Sequence, residues 1–119
     1  MSTRIIKINR GDSFEFTAFT NGRVLKATDA LYFAVLLPHQ NFEDALILKG
    51  YRGSDEEVNN EAGEVNIKLT PNETKRLLPG IYYYTTKIHV GGSLEDLGVS
   101  TEPDEVCTMI ERTKFIVNE

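Results

Sequence analysis

The sequence predicts an all-β fold in which two antiparallel sheets pack face to face. Apolar and polar residues alternate over 13–20, 64–70 and 81–90, which is the pattern of strands that bury one side. Turn signals separate the apolar runs, and only one segment begins like a helix. About seven or eight short strands of this kind bury their apolar sides most simply in a sandwich. A chain of 119 residues suits a single domain, predicted to span 1–119.

The strands are predicted to follow one another along the whole chain, at 4–9, 13–20, 30–37, 45–51, 64–70, 81–90 and 105–117. The last segment, 105–117, is either one long strand or two short ones. Segment 30–37 is almost continuously apolar, which indicates a strand buried on both faces. Asn21-Gly22 is the dipeptide most typical of a two-residue β-hairpin, because both residues tolerate positive φ. The acidic stretch 52–63 is predicted to be a loop.

The last strand contains a change of phase. Val106, Thr108 and Ile110 share one parity, whereas Phe115 and Val117 share the other. A buried face cannot switch parity without an extra residue, so a bulge or tight turn is expected within Glu111–Lys114.

One short helical turn is expected near 71–78. Thr70 can cap it, Pro71 suits its first position, and Glu73 can complete a capping box. Pro79 and Gly80 then end it.

The alternation also predicts which side chains form the core. The residues expected to be largely buried are Phe14, Phe16, Leu31, Phe33, Val35, Ile67, Leu69, Tyr82, Tyr84 and Ile88.

Composition and motifs favour a non-enzymatic protein. A net charge of −5 argues against general nucleic-acid binding, which needs clustered Lys and Arg. The single cysteine, Cys107, and the scattered His39 and His89 form neither a nucleophile–base pair nor a zinc site. No apolar run approaches the ~20 residues of a membrane span. We therefore expect no catalytic residues, no cofactor, no metal, no nucleic-acid partner and no membrane partner.

Two features are candidate contact surfaces. Tyr83 should point away from Tyr82 and Tyr84, and it is either a lone surface tyrosine or part of an interface. Segment 91–105 is long for a connection between consecutive strands, and it carries the apolar residues Leu94, Leu97 and Val99.

The turn Arg10-Gly11-Asp12 matches the cell-adhesion tripeptide, but Gly-Asp between two strands is also what an ordinary turn requires.

Four motifs together go beyond a generic β-protein. They are Ile6-x-Ile8-x-Arg10-Gly11-Asp12-Ser13-Phe14-x-Phe16, Val65-x-Ile67-x-Leu69-Thr70-x-x-Glu73-Thr74-x-x-Leu77, Gly80-x-Tyr82-x-Tyr84, and Thr108-Met109-Ile110 with Phe115-x-Val117. This set resembles the small immunoglobulin-like β-sandwich domains of tailed-bacteriophage and prophage structural proteins, such as the N-terminal domain of baseplate upper proteins. The resemblance covers nearly the whole chain and consists of structural motifs.

The resemblance implies a non-enzymatic virion protein of the tail, baseplate, neck or capsid. Such a protein would be made in the host cytoplasm and would dock to itself or to other virion proteins. The alternative is a carbohydrate-binding sandwich, for which Tyr51 and Tyr83 are the candidate exposed aromatics.

Overall fold

Eight strands form two sheets in the part of the chain that the computed structural model describes, namely residues 5–20, 23–90 and 105–119. The elements in chain order are β1 (Ile6–Asn9), β2 (Phe14–Phe19), β3 (Ala30–Leu36), β4 (Ile47–Arg52), β5 (Val58–Asn59), β6 (Glu64–Leu69), α1 (Pro71–Lys75), β7 (Gly80–Val90) and β8 (Glu105–Asn118). One sheet has the order β1-β8-β7-β3-β4 and the other the order β2-β6-β5. Neighbouring strands are antiparallel, except that β1 runs parallel to β8. The predicted all-β, two-sheet architecture is confirmed.

Aromatic rings from the two sheets meet in the core. Phe16 on β2 lies with its ring centroid 6.1 Å from that of Phe33 on β3 and 5.7 Å from that of Tyr84 on β7. Phe14 meets Phe115 of β8 edge to face at 6.3 Å. Tilted and edge-on contacts of this kind suit the ring quadrupoles and hold the sheets together.

The predicted core is almost entirely confirmed. Phe14 is only partly buried and packs against the core cluster. The other predicted members are buried: Phe16, Leu31, Phe33, Val35, Ile67, Leu69, Tyr82, Tyr84 and Ile88.

Strand β3 is buried along its whole length, as its apolar run predicts. Leu31, Phe33 and Val35 face the three-stranded sheet and join the main core. The alternate residues form a second cluster on the outer side, made of Ala30, Tyr32, Ala34 and Leu36 with Phe42. Phe42 belongs to the 3-10 turn Phe42–Asp44, which covers this side of the strand.

Two local predictions are wrong. Strands β2 and β3 lie in different sheets, so they do not form the hairpin predicted at Asn21-Gly22, and those two residues lie outside the described ranges. A turn dipeptide reports the local backbone conformation and not the partner of the following strand. The predicted loop 52–63 contains β5, where Val58 pairs with Val65 and adds a third strand to the smaller sheet.

The irregularity predicted in the last strand is present. Tyr84 of β7 pairs with Thr113, but Thr86 pairs with Ile110, so β8 contains an extra residue between them. A second extra residue follows, because Lys87 pairs with Thr108. Two extra residues restore the original alternation, so Phe115 lies in the core while Thr108 lies on the outer face with Lys87, and Val106 is 48% exposed. The expectation that Val106 and Thr108 share the buried face of Phe115 is therefore wrong.

Helix α1 begins as predicted and ends earlier. The Thr70 hydroxyl accepts the Glu73 N–H at 3.3 Å, and the Glu73 carboxylate accepts the Thr70 N–H at 2.9 Å, which is a capping box. The helix stops at Lys75 and not near 78. The guanidinium of Arg10 donates to the Lys75 carbonyl at 3.0 and 2.8 Å, and so satisfies a carbonyl at the helix end.

The turn between β1 and β2 is fixed to the same helix. Gly11 adopts φ +88°, a left-handed conformation that glycine tolerates best, and its N–H donates to the Thr74 hydroxyl at 3.0 Å. Thr74 is fully buried, and its hydroxyl lies 2.9 Å from the Asp12 carbonyl as a donor. The turn predicted at Arg10-Gly11-Asp12 therefore has a structural role.

Truncation of Phe33 tests the burial of β3 against the three-stranded sheet. Phe33→Ala should lower the free energy of unfolding by about 3–5 kcal/mol, because it opens a cavity among packed rings. Phe19→Ala is the matched control, because 58% of the Phe19 side chain is exposed. Urea unfolding of both variants measures the difference, and a Phe33→Ala curve that overlays wild type would contradict the assignment.

Glu73 should make stability depend on pH. Partial burial opposes its ionisation, but the Thr70 N–H and the Lys49 ammonium, 3.0 Å away, outweigh burial and lower the pKa of Glu73. The pKa of Glu73 is lower in the folded protein than in the unfolded chain, where it has the usual glutamate value of ~4.3. The ionised carboxylate therefore stabilises the fold above that value, and this stabilisation is lost as the pH falls through the folded pKa. Glu73→Gln should therefore be most destabilising at neutral pH and nearly neutral in acid.

Urea titrations of wild type and Glu73→Gln across this pH range measure the effect. Lys49→Met, which removes only the ammonium, should weaken the pH dependence without abolishing it. A free-energy difference between wild type and Glu73→Gln that stays constant with pH would show that the charge of Glu73 is not involved.

Candidate interaction surface

The outer face of the five-stranded sheet carries Tyr83. Its neighbours Tyr82 and Tyr84 belong to the core, so alternation along β7 places Tyr83 on the opposite side. There it is half-buried, and it pairs with Leu36 of β3 and Lys114 of β8. The outward orientation predicted for Tyr83 is confirmed, whereas its part in an interface stays a prediction.

Apolar residues and lysines surround Tyr83 on this face. Ile81 of β7 is 55% exposed and pairs with Ile116 of β8, which in turn pairs with Lys7 of β1. Ile5, just before β1, is 51% exposed. This end of the sheet therefore presents apolar surface bordered by ammonium groups.

At the other end of the face, aromatic rings pack together edge-on or tilted and cover the sheet. His89 is buried and lies with its ring centroid 5.0 Å from that of Tyr32 and 6.0 Å from that of Phe42. The Lys87 ammonium lies 4.9 Å from the centroid of the Phe42 ring, a cation–π contact. A small pocket of about 220 Å³ opens here, lined by Phe42, Thr85, Lys87, Thr108 and Arg112.

Arg112 anchors the connection between β3 and β4 to this face. Its guanidinium donates to the Pro38 carbonyl at 2.9 Å and to the Gln40 carbonyl at 2.6 Å. The Gln40 side chain in turn accepts the Leu37 N–H and donates to the Asp44 carbonyl. These bonds hold the segment that carries Phe42 over β3.

We call this outer surface the basic face. It is defined by Tyr83 together with the cationic residues Lys7, Lys87, Arg112 and Lys114. Lys7 and Lys114 are well exposed.

The outer side of the three-stranded sheet has the opposite character. A shallow groove of about 500 Å³ is lined by four glutamates, one lysine and uncharged polar residues: Glu15, Glu56, Glu57, Glu64, Lys68, Thr17, Asn59 and Asn66. We call it the acidic groove. Phe19, paired with Glu64 and 58% exposed, lies beside it.

Neither surface has the chemistry of a metal centre. Across residues 5–20, 23–90 and 105–119, no group of three or more His, Cys, Asp or Glu residues could hold a metal ion. No helix in these ranges is long and apolar enough to cross a membrane.

The second contact surface predicted from the sequence is not described. Leu94, Leu97 and Val99 lie in 91–104, outside the described residues, so their role in contacts stays a prediction.

Tyr51 is not the exposed aromatic that a sugar-binding platform requires. Only 6% of it is exposed, it belongs to the main core, and its hydroxyl accepts the Lys68 N–H at 3.2 Å. Burial is also the leading reason that the pKa of Tyr51 is raised. Tyr51 and Tyr83 therefore lie on opposite sides of the five-stranded sheet. The sequence did not reveal this because β4 alternates poorly, with Leu46 and Leu48 out of phase with the buried Ile47 and Tyr51.

Sequence reasoning also missed the separation of charge between the two outer faces. The alternation along a single strand could have shown that each of these lysines and glutamates points away from the core. It could not have shown that β1, β7 and β8 belong to one sheet and β2 and β6 to the other.

Comparisons with known proteins do not assign the chain to a family: no protein-family model matches it, and no curated protein is significantly similar to it.

Loss of the Arg112 guanidinium should release the segment that covers β3. Arg112→Gln removes donors to two carbonyls, so amide hydrogen exchange should become faster at residues 37–44 than elsewhere. Lys114→Gln is the matched control on the same strand, since the Lys114 side chain is exposed. Equal exchange at 37–44 in wild type and Arg112→Gln would contradict the anchoring role.

Proposed function

We propose that this chain is a non-enzymatic structural protein of a tailed-bacteriophage virion that acts by docking to other proteins. The observation that carries the proposal is the way the motifs of the resemblance converge. The Gly11 turn binds Thr74 of the capped helix, and the helix leads directly into the tyrosine-bearing strand β7. Gly11 and Thr74 are 63 residues apart in the sequence, yet this hydrogen bond brings the first two motifs into one corner.

The strand order supports an immunoglobulin-like identity for the sandwich. The central order β8-β7-β3-β4 corresponds to strands G, F, C and C′ of a variable-type immunoglobulin domain, and β2-β6-β5 to strands B, E and D. The parallel pairing of β1 with β8 places an N-terminal strand beside the last strand.

A side-chain bond at the start of β7 adds to this support. The Tyr82 hydroxyl donates to the Leu78 carbonyl at 2.7 Å. A tyrosine near the start of strand F that bonds back to the backbone a few residues upstream is the tyrosine corner of immunoglobulin-like sandwiches.

Docking is a better use of the described surfaces than sugar binding. A carbohydrate-binding sandwich needs two or three exposed aromatics on one face. Tyr51 is buried, and Phe19 and Tyr83 lie on the outer faces of different sheets, so the described residues supply no such platform. The basic face combines Tyr83 with the exposed Ile81 and with Arg112, and aromatic residues and arginine are enriched at protein interfaces. The protein would be made in the host cytoplasm and retained in the assembled particle.

The proposal predicts that the chain is a component of phage particles. Particles induced from the bacterium that encodes it, purified by density gradient and analysed by quantitative mass spectrometry, should contain it in a fixed ratio to the major structural proteins. Deleting its gene should give incomplete or non-infective particles. Absence from particles, together with full infectivity of the deletion strain, would refute the virion role.

Complementation of the deletion strain tests the docking surface. Tyr83→Ser should reduce incorporation into particles, because it removes the aromatic contact area at the centre of the basic face. Tyr83→Phe is the matched control and should incorporate nearly as wild type. Equal incorporation of Tyr83→Ser and wild type would show that Tyr83 is not part of the contact.

A further inference from the structure

The two outer faces of the sandwich carry opposite charge. The basic face presents four cations on strands β1, β7 and β8, whereas four of the five charged residues lining the acidic groove are glutamates. Because these faces belong to different sheets, they point away from each other. A single copy therefore cannot bring its own two faces into contact.

We propose that copies of this chain bind one another head to tail, with the acidic groove of one copy seated on the basic face of the next. This deepens the docking role proposed above and rests on it, since it names a second copy as the partner. The carboxylates of the groove complement the ammonium and guanidinium groups of the basic face. A contact between two basic faces or two grooves would instead oppose like charges.

Exposed apolar residues lie at both surfaces of such a contact. Phe19 lies beside the groove, Ile81 is exposed two residues from Tyr83 on β7, and Ile5 is exposed just before β1. Interfaces commonly place apolar and aromatic residues centrally with charged residues at the rim. In the head-to-tail contact the glutamates of the groove face the lysines of the basic face, and the exposed apolar residues add contact area.

The size of the molecule allows this contact. A broad side of a body measuring 38 × 28 × 26 Å can supply about 800 Å² per partner, the standard size for a specific interface. The contact joins two different surfaces, so a chain of copies has an unoccupied groove at one end and an unoccupied basic face at the other. Such contacts generate rings or filaments and not closed dimers.

The test uses purified full-length protein and two charge-reversal variants. Lys7→Glu/Lys114→Glu reverses the basic face, and Glu15→Lys/Glu56→Lys reverses the groove. Sedimentation velocity should show wild type growing beyond a dimer as its concentration rises. Each variant alone should associate at least about tenfold more weakly, because like charges now meet across the contact.

An equimolar mixture of the two variants provides the decisive measurement. The groove of the first variant and the basic face of the second are unchanged, so the mixture should recover association that neither variant shows alone. Lys26→Glu/Lys75→Glu carries the same change in net charge as the basic-face variant, but at exposed positions outside both surfaces, and should associate as wild type. Circular dichroism and thermal unfolding establish that every variant is folded.

Several outcomes would overturn the inference. Wild type that remains monomeric into the millimolar range would exclude self-association. Association that persists when only the groove is reversed would indicate a symmetric contact between basic faces. Binding of the monomer to single- or double-stranded DNA through the basic face would show that the partner of this face is nucleic acid and not a second copy. A monomeric chain that is nevertheless found in particles would refute head-to-tail assembly and leave the virion role intact.

Discussion

Burial of β3 on both faces is the constraint on which the rest of the structure depends. Each residue from Ala30 to Leu36 is buried, so the five-stranded sheet needs a cover on either side of this strand. The three-stranded sheet supplies one cover through Phe16, whose ring contacts Phe33 and Tyr84. The segment anchored by Arg112 supplies the other and brings Phe42 over Tyr32.

The need to cover β3 on both sides also explains why the outer face of the five-stranded sheet is covered at one end and exposed at the other. Near β3 the outer side is filled by Tyr32, Phe42 and His89. Towards β1 and β8 it has no such filling among the described residues, and Ile81 and Lys7 are exposed. Among the described residues, the uncovered part of this face therefore lies towards β1 and β8. Tyr83 lies at the boundary between the two regions.

The corner formed by the β1–β2 turn and α1 joins distant parts of the chain through backbone polar groups. Thr74 and Arg10 satisfy groups that the turn and the short helix would otherwise leave unpaired. This fixes the point at which the chain passes from one sheet to the other before β7 begins. The same corner contains most of the motifs on which the proposed phage relationship rests. The proposed function is therefore supported by a structural feature and not by a reactive group.

The sequence by itself determined the elements whose signals are local. Alternation placed Phe16, Ile67 and Tyr84 in the core, the capping box located α1, and the change of phase in 105–117 located a bulge, because each depends on neighbours a few residues away. Tertiary structure decided which strands became partners. Only the sheet order showed that β2 and β3 lie in different sheets, that Val58 adds a strand and that Tyr51 is buried. It also placed Lys7 and Lys114 on one outer face and the four glutamates of the groove on the other, since strand pairing between distant segments is set by the packing of the whole domain and not by any one segment.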